Sequence, residues 1–212
     1  MKQFLSVCGA SASGKTTISL RLAEQLRALP THPSVLLLKM DHYYKDLPEL
    51  TGSSRAQLNF DHPDSIDIEL YEKHINCIAN GYSIEVPEYS FETHRRLDYT
   101  RTQESADFII MEGIHTLYSK SLRKLSDCTI FIDIPDSIAL ERRIQRDTKE
   151  RGRSVEAIKL QFEQTVKPMF DQYIRPKAKF ADIVLDGEQP INYSMKKLTS
   201  SDIFTKLVQE YN

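Results

Sequence analysis

Five short apolar runs recur along the chain, each followed by polar or small residues. Strands with one solvated face alternate apolar and polar side chains, whereas strands covered on both faces are apolar throughout and are typical of parallel sheets. These runs show little alternation, so they predict buried parallel strands. The predicted strands cover residues 4–8, 35–40, 108–111, 129–134 and, as a shorter segment, 183–185.

Helical periodicity fills most of the sequence between these runs. After the first strand, one helix face carries Ile18, Leu22, Leu26 and Leu29. Strands that alternate with helices indicate an α/β fold in which helices cover both faces of the sheet. We therefore predict a doubly wound α/β domain with helices over 16–29, 64–80, 136–147, 154–174 and 199–211.

Residues 82–104 interrupt this alternation of strands and helices. Their segments IEVPEYSF and HRRLDYTRTQ are rich in β-branched and aromatic residues and lack a helical period. They predict a β-hairpin inserted into the α/β domain. Because the sequence contains no internal repeat, low-complexity tract or Gly/Ser linker, we expect residues 1–212 to form a single domain.

Composition narrows the range of partners. The 212 residues carry 28 Lys plus Arg against 30 Asp plus Glu, a net charge of −2, so we expect no nucleic-acid partner. No apolar run approaches the roughly 18 residues that a membrane span needs, so we expect no membrane association. The three cysteines lack CxxC spacing, and the N-terminal residues do not have the pattern of a signal peptide. These features predict a cytoplasmic protein.

A phosphate-binding loop follows the first predicted strand and opens the first predicted helix. Its sequence GASASGKT fits the pattern G-x-x-x-x-G-K-[ST], in the strand and helix context that the pattern requires. Backbone N–H groups of such a loop cradle phosphates, the lysine reaches the β and γ phosphates, and the hydroxyl binds Mg²⁺. The predicted ATP-binding residues are Gly9, Ala10, Ser11, Ala12, Ser13, Gly14, Lys15, Thr16 and Thr17.

Two acidic residues follow other predicted strands. Asp41 comes after the second strand and Glu112 ends the third, and functional side chains of parallel sheets collect at the carboxyl ends of the strands. A capping role for Asp41 and a surface position for Glu112 are the alternatives. The sequence lacks the N-K-x-D element of a GTPase, so we favour a kinase or another transferase in which one acid accepts a proton and another holds Mg²⁺.

Six further segments, in order, resemble the uridine-cytidine kinase family of phosphate-loop nucleoside kinases. The resemblance implies a five-stranded, mostly parallel sheet of the P-loop kinase type, with ATP and Mg²⁺ used to phosphorylate the 5′-hydroxyl of uridine or cytidine. A homotetrameric assembly is a further expectation, and a departure from the family pattern at residues 185–188 adds GTP as a second donor. The segments are DHYYKD at 41–46, NFDHPD at 59–64, PEYSF with HR at 87–95, MEGI at 111–114, 142–154 and TVKPMF at 165–170.

The same resemblance implies a role for each matching residue. Asp41 is expected as the catalytic base, and Asp61 with Arg143 as the ribose contacts. Catalytic residues in addition to Asp41 are expected at Lys15, Arg146 and Arg151, the last two in an arginine-bearing lid over about 143–154. Thr16, Glu112 and Asp41 are the expected magnesium-associated residues. The pyrimidine and further substrate contacts are expected at Tyr89, His94, Phe91, Phe60, Tyr44, Arg153 and Gln161.

Three positions depart from the family pattern. His115 stands where a small apolar residue is usual, Glu88 stands where an apolar residue is common, and the segment LDGE at 185–188 replaces an arginine-bearing loop beside the donor base. Two alternative functions remain open at this point. One is a phosphoribulokinase-like or pantothenate kinase-like activity on another alcohol, and the other is a nucleotide-binding regulator without turnover.

Overall fold

A parallel five-stranded sheet forms the centre of the molecule in the computed structural model, which describes residues 2–46 and 58–211. The strands are β1 (Gln3–Gly9), β2 (Val35–Lys39), β5 (Phe108–Glu112), β6 (Cys128–Asp133) and β7 (Ile183–Asp186). Their order across the sheet is β2-β5-β1-β6-β7, and all four neighbouring pairs are parallel. The predicted α/β class and all five predicted strands are confirmed.

The strand order places the phosphate-binding loop at the middle of the sheet. The chain moves from β1 outward to β2 and back to β5, then crosses to β6 on the other side of β1. Ligands of open parallel sheets bind at such a point, where connections leave a strand in opposite directions. Because all seven residues of β1 are buried, the loop that follows has a rigid base.

Helices cover both faces of the sheet, as the apolar strands require. On one face, α1 (Lys15–Arg27), α6 (Ile191–Thr199) and α7 (Asp202–Tyr211) share a core with β1. On the other face pack α2 (Ile68–Ala79) and the segment that begins with α5 (Val155–Gln161). The remaining helices are α3 (Lys120–Leu125) and α4 (Asp136–Arg151). Within the described ranges, no helix is long and apolar enough to cross a membrane.

Two helices were absent from the predictions, and others have different bounds. Sequence patterns gave neither α3 nor α6, and the helix predicted over 199–211 begins only at Asp202. The helix predicted over 64–80 begins at Ile68, where the Asp67 side chain accepts a hydrogen bond from the Leu70 N–H at 3.1 Å. This cap fixes the start of α2 because it satisfies a backbone donor that has no partner within the helix.

The helical segment predicted over 154–174 is continuous but irregular. After α5 it passes through π-helical turns at Phe162–Val166 and Phe170–Ile174, joined by the short α-helical stretch Lys167–Met169. Its buried residues recur every fourth position, at Phe162, Val166, Phe170 and Ile174. An α-helical turn holds 3.6 residues, so buried side chains spaced four residues apart would drift around a regular α-helix. The π-helical turns hold more residues each and keep these side chains on one face.

The predicted hairpin is confirmed as a separate two-stranded sheet. Strand β3 (Ile84–Ser90) pairs antiparallel with β4 (Arg95–Gln103), with a register shift between Pro87 and Tyr89. Apolar residues of β3 pack on the core formed by β2 and α2, whereas most of β4 is exposed. The hairpin therefore adds a wall beside the carboxyl ends of the strands.

A close approach of backbone segments brings two predicted acids together. Asp41 lies in a 3₁₀ turn, Met40–Tyr43, directly after β2, and Glu112 is the last residue of β5. At Gly113 an added Cβ would lie 2.6 Å from the Met40 Cβ, too close for any other residue to fit without a shift. Glycine at this position therefore lets the two strand ends lie side by side.

Candidate active site

The phosphate-binding loop has the geometry of an anion site. Ala12 and Gly14 adopt left-handed backbone conformations, with φ of 63° and 98°, and α1 begins at the next residue, Lys15. The Lys15 ammonium is buried and donates to the Ala10 carbonyl oxygen at 2.7 Å. Free N–H groups at the start of α1 and the helix dipole favour a bound phosphate beside this lysine.

Two carboxylates face the loop. The Thr16 hydroxyl donates to Glu112 Oε2 at 3.3 Å, and Asp41 lines the same cavity. Burial raises the pKa of Glu112, and the negative charge of Asp41 raises it further, while Lys15 acts in the opposite direction. A hydroxyl beside two carboxylates that repel each other is a donor set that fits a hard divalent cation such as Mg²⁺.

The described residues contain no group of three or more His, Cys, Asp or Glu side chains that could hold a metal by themselves. Mg²⁺ in kinases binds through one or two protein oxygens together with water and substrate phosphates. Thr16, Glu112 and Asp41 line the cavity with oxygen atoms of the kind that such a site uses.

One cavity of about 450 Å³ brings together most of the predicted site residues. It extends from the phosphate-binding loop, past Asp41, to the hairpin and the C-terminal half of α4. Every predicted catalytic and substrate-binding residue lines it. Of the predicted ATP-binding residues, Gly9, Ala10 and Ser13 do not line it and lie in the buried part of the loop.

Aromatic rings form the end of the cavity away from the loop. The Phe60 and His94 rings are stacked, with centroids 4.7 Å apart and planes 19° from parallel. Tyr44 lies 5.1 Å from Tyr89, whose ring contacts Phe91 at 5.4 Å. Burial raises the pKa of Tyr44 well above its ordinary value, so its hydroxyl stays protonated. A flat ring with apolar faces, such as a nucleobase, fits a wall of this kind.

Asp61 lies between the aromatic wall and the loop. Its carboxyl group is buried, and its own carbonyl oxygen accepts a hydrogen bond of 2.9 Å from His115 Nε2. Burial lowers the pKa of His115 to about 4, so the ring is neutral and donates through Nε2. This contact explains the polar residue at position 115, because it ties the turn that follows β5 to the segment that carries Asp61.

Arg143 shares the cavity with Asp61 but is held by other partners. Its guanidinium donates to the Ser11 hydroxyl and to Gln161 Oε1, each at 2.9 Å. Its ion pair is with Asp147, at 3.5 Å. Arg143 and Asp61 interact across the cavity, since the charge of Arg143 opposes the rise in the Asp61 pKa.

Glu88 has a structural explanation that sequence reasoning did not supply. Its carboxylate lies 3.2 Å from His42 Nδ1 and 2.9 Å from an Arg101 guanidinium nitrogen. His42 is the neighbour of Asp41 in the 3₁₀ turn. Burial lowers the pKa of His42, and the nearby Glu88 charge partly offsets this. Glu88 thus joins both hairpin strands to the turn that positions Asp41.

A smaller cavity of about 150 Å³ lies beside the phosphate-binding loop and the segment after β7. Thr17, Arg142, Gly187 and Gln189 line it. Arg142 donates to the Gly187 carbonyl oxygen at 2.9 Å. Helix α4 therefore supplies a cation to the segment 185–188, whose own charged side chains are both acidic. The sequence reasoning missed Arg142 here, although its position beside Arg143 in α4 was visible.

Comparisons with known proteins agree with this geometry. Residues 4–190 match the profile of the Phosphoribulokinase / Uridine kinase family. The chain is 40% identical over 181 residues to a uridine kinase of Vibrio cholerae serotype O1, covering 85% of each protein. It is 45% identical over 181 residues to uridine-cytidine kinase A of Dictyostelium discoideum, covering 85% of this chain but only 35% of that protein. The fold resembles the solved structure of a "Possible Uridine Kinase" from Bacillus stearothermophilus, with a TM-score of 0.56, 23% identity, and coverage of 87% of this chain and 89% of that one.

The buried carboxyl of Asp61 leads to a prediction about stability. Burial raises its pKa in the folded chain, and the Asp41 charge adds to this, while Arg143, Lys15 and Arg146 oppose it. Above the raised pKa the carboxyl is ionised in both states, so the folded state bears the cost of burying the charge. Below the ordinary value of 3.8 it is protonated in both states and the cost disappears.

We therefore expect Asp61→Asn to raise the thermal unfolding midpoint of the ligand-free protein at pH 7. The difference from wild type should shrink as the pH falls towards 3.8, and calorimetric scans across this range will measure it. Asp64→Asn, at an exposed position nearby, is the control. A lower midpoint for Asp61→Asn at pH 7 would show that its cationic neighbours outweigh burial.

Proposed function

Since the chain belongs to the phosphoribulokinase/uridine kinase family, we propose that it transfers the γ-phosphate of ATP to the 5′-hydroxyl of uridine or cytidine, giving UMP or CMP. The observation that carries this proposal is the single cavity in which a phosphate-binding loop, Asp41 and an aromatic wall face one another. The relatives named above are described as uridine or uridine-cytidine kinases, which supports the same activity.

Asp41 is suited to the role of general base. It lines the cavity together with the loop and the aromatic wall, so the 5′-hydroxyl of a nucleoside bound there would meet the terminal phosphate beside it. A carboxylate in this position takes the hydroxyl proton as the oxygen attacks phosphorus. The proton moves to Asp41, the bond from the γ-phosphorus to the β-phosphate oxygen breaks, and ADP leaves.

Cations around the cavity stabilise the charge on the transferring group. Lys15 lies at the start of α1, and Arg146 and Arg151 reach the cavity from the end of α4. Phosphoryl transfer depends mainly on positioning and on charge stabilisation of this kind. Thr16, Glu112 and Asp41 would hold Mg²⁺, which when bound neutralises charge on the phosphates.

The nucleoside is held by the other half of the cavity. Phe60, Tyr44 and Phe91 give the base apolar contacts, and Tyr89 and His94 add polar atoms at the same end. We assign the ribose hydroxyls to Asp61 and Arg143, which line the same cavity. Arg153 and Gln161, which are joined by a hydrogen bond of 2.6 Å, complete the substrate contacts.

The rest of the proposal comes from composition and family resemblance. We place the protein in the cytoplasm, in pyrimidine salvage, as a homotetramer without nucleic-acid or membrane partners. ATP is the donor, and the departure from the family pattern at residues 185–188 adds GTP as a second donor.

A panel of acceptors assayed with ATP tests the proposed activity. We expect phosphorylation of uridine and cytidine but not of ribulose 5-phosphate or pantothenate, whose shapes do not match an aromatic wall. For 2′-deoxyuridine, kcat/KM should be lower by ~10² to 10⁴, because a site built to bond a hydroxyl leaves its own polar groups unpaired when the hydroxyl is absent. Equal kcat/KM for uridine and 2′-deoxyuridine would contradict the ribose contacts.

Replacement of Asp41 tests the proton transfer. We expect Asp41→Asn to bind ATP as wild type does while kcat falls by at least ~10², the smaller effect typical of a lost general base. Calorimetric ATP binding and steady-state turnover separate the two effects. Asp64→Asn should keep full activity. Wild-type turnover in Asp41→Asn, after removal of contaminating host kinase, would eliminate the role of Asp41 as base.

Donor preference follows from the smaller cavity beside the loop. Its two largest polar side chains are already engaged, because Arg142 bonds the Gly187 carbonyl and Gln189 donates to Asp186 at 3.0 Å. Donor affinity then comes mainly from the triphosphate, whose recognition does not depend on the base. We expect kcat/KM for GTP within about tenfold of that for ATP, a gap of ~1.4 kcal/mol. A kcat/KM for ATP more than about one hundredfold above that for GTP, or ~2.7 kcal/mol, would show that this chain recognises the adenine base.

A further inference from the structure

One buried aspartate lies at the centre of the arginines that face the cavity. The Asp147 side chain is 0% exposed, in the last turns of α4. Its Oδ1 accepts a hydrogen bond of 2.8 Å from Arg146 Nε and lies 3.6 Å from Arg151 Nη1. Its Oδ2 lies 3.5 Å from Arg143 Nε and 3.8 Å from Arg153 Nη1. Four guanidinium groups thus share one carboxylate.

The backbone of Asp147 fixes the same region. Its carbonyl oxygen accepts hydrogen bonds from the N–H groups of Gly152 and Arg153, the latter at 3.1 Å. Gly152 has φ of 60°, the left-handed conformation that ends many helices. The backbone carbonyl of Asp147 therefore closes the turn that carries Arg151 and Arg153. The side-chain carboxylate takes no part in closing this turn and contacts the arginine side chains instead.

All four arginines line the cavity that contains Lys15 and Thr16, and other contacts also hold three of them. Arg143 donates to the Ser11 hydroxyl of the phosphate-binding loop. Arg153 donates to Gln161, and the Arg151 guanidinium lies 4.8 Å from the centre of the Phe91 ring. None of these partners carries a negative charge. Without a carboxylate the four like charges would repel one another, and Arg146 would lose the hydrogen bond to its Nε.

We propose that Asp147 is a positioning residue that gathers the guanidinium groups of these four arginines towards the phosphate-binding loop before a triphosphate binds, an inference that rests on the kinase activity proposed above. Asp147 itself touches neither substrate, since it does not line the cavity. It acts through the arginines, which outnumber it and so leave the cluster positive and attractive to phosphates.

The chemistry of the cluster supports this role. Burial would raise the pKa of Asp147, but the hydrogen bond and charge of Arg146, together with Arg151 and Arg143, lower it overall. The carboxylate therefore stays ionised at neutral pH. The longer contacts to Arg143, Arg151 and Arg153 leave these guanidinium groups able to bond substrate oxygens without first breaking a short hydrogen bond to Asp147. These oxygens belong to the nucleoside for Arg143 and Arg153 and to a phosphate for Arg151.

Asp147→Asn tests the role because it keeps the size of the side chain and removes its charge. We expect kcat with uridine to fall by roughly 10², the scale of a displacement of about 1 Å in catalytic groups. We expect KM for uridine and the Kd for ATP to change by less than about threefold, because Arg143 and Arg153 keep their hydrogen bonds to Ser11 and Gln161, and the aromatic wall and the phosphate-binding loop are intact. Glu141→Gln, an exposed acid on the same helix, is the matched control and should leave all three constants unchanged.

A double-mutant cycle separates positioning from a general loss of structure. If Asp147 acts through its closest partner, Asp147→Asn should lower kcat much less in an Arg146→Ala background than in wild type. Effects on kcat that multiply, or a KM that rises as much as kcat falls, would overturn the proposal and leave Asp147 a purely structural residue.

A measurement on the wild-type protein covers the case in which Asp147→Asn does not fold. In ¹⁵N NMR spectra without nucleotide, the Nε–H of Arg146 should be protected from solvent exchange by its bond to Asp147, unlike that of exposed Arg21. Rapid exchange of the Arg146 signal would overturn the proposal even if the chain phosphorylates uridine. A protected signal with no turnover of uridine or cytidine would instead refute the proposed function.

Discussion

Charges of both signs are buried around one cavity, and the rest of the structure serves to place and balance them. Glu112 and Asp61 are buried carboxyls with raised pKa values, and Lys15 and Arg143 are buried cations that oppose this rise. Unpaired charges in such a place would cost several kcal/mol each. The arrangement is tolerable because each charge faces an opposite one and the ligand completes the balance.

The parallel sheet makes this concentration of charge possible. Carboxyl ends of β1, β2 and β5 lie at one edge, so the phosphate-binding loop, Asp41 and Glu112 meet without any long connection. The contact between Gly113 and Met40 keeps the two acids close. The hairpin and α4 then enclose the cavity, one with aromatic rings and the other with arginines.

Much of the fold and the site could be predicted from local sequence. Apolar runs predicted the five strands. The phosphate-binding loop could be predicted because its backbone geometry requires particular residue types at fixed positions. Asp41 and Glu112 followed because strand ends of a parallel sheet converge. Family resemblance then supplied residues such as Asp61 and Tyr89, whose roles no periodicity indicates. Helices α3 and α6 were not predicted because each is too short to show a clear hydrophobic period.

Long-range contacts explain what sequence reasoning missed. The link from His115 to Asp61, the bridge from Glu88 to His42 and the reach of Arg142 to Gly187 each join segments distant in the chain. Asp147 was overlooked for a different reason. An acid among arginines at the end of a helix resembles a solvated surface, and only the three-dimensional structure shows that its side chain is buried.

The most direct test of the central claim is a crystal structure with uridine and a non-hydrolysable ATP analogue. We predict the base against Phe60, Tyr89 and His94, and the ribose 5′-oxygen within roughly 2.6–3.2 Å of the Asp41 carboxylate, the reach of a general base. The same oxygen should face the γ-phosphorus. A uridine whose 5′-hydroxyl points away from Asp41, or a base bound outside the aromatic wall, would contradict the claim that this one cavity holds both reactants.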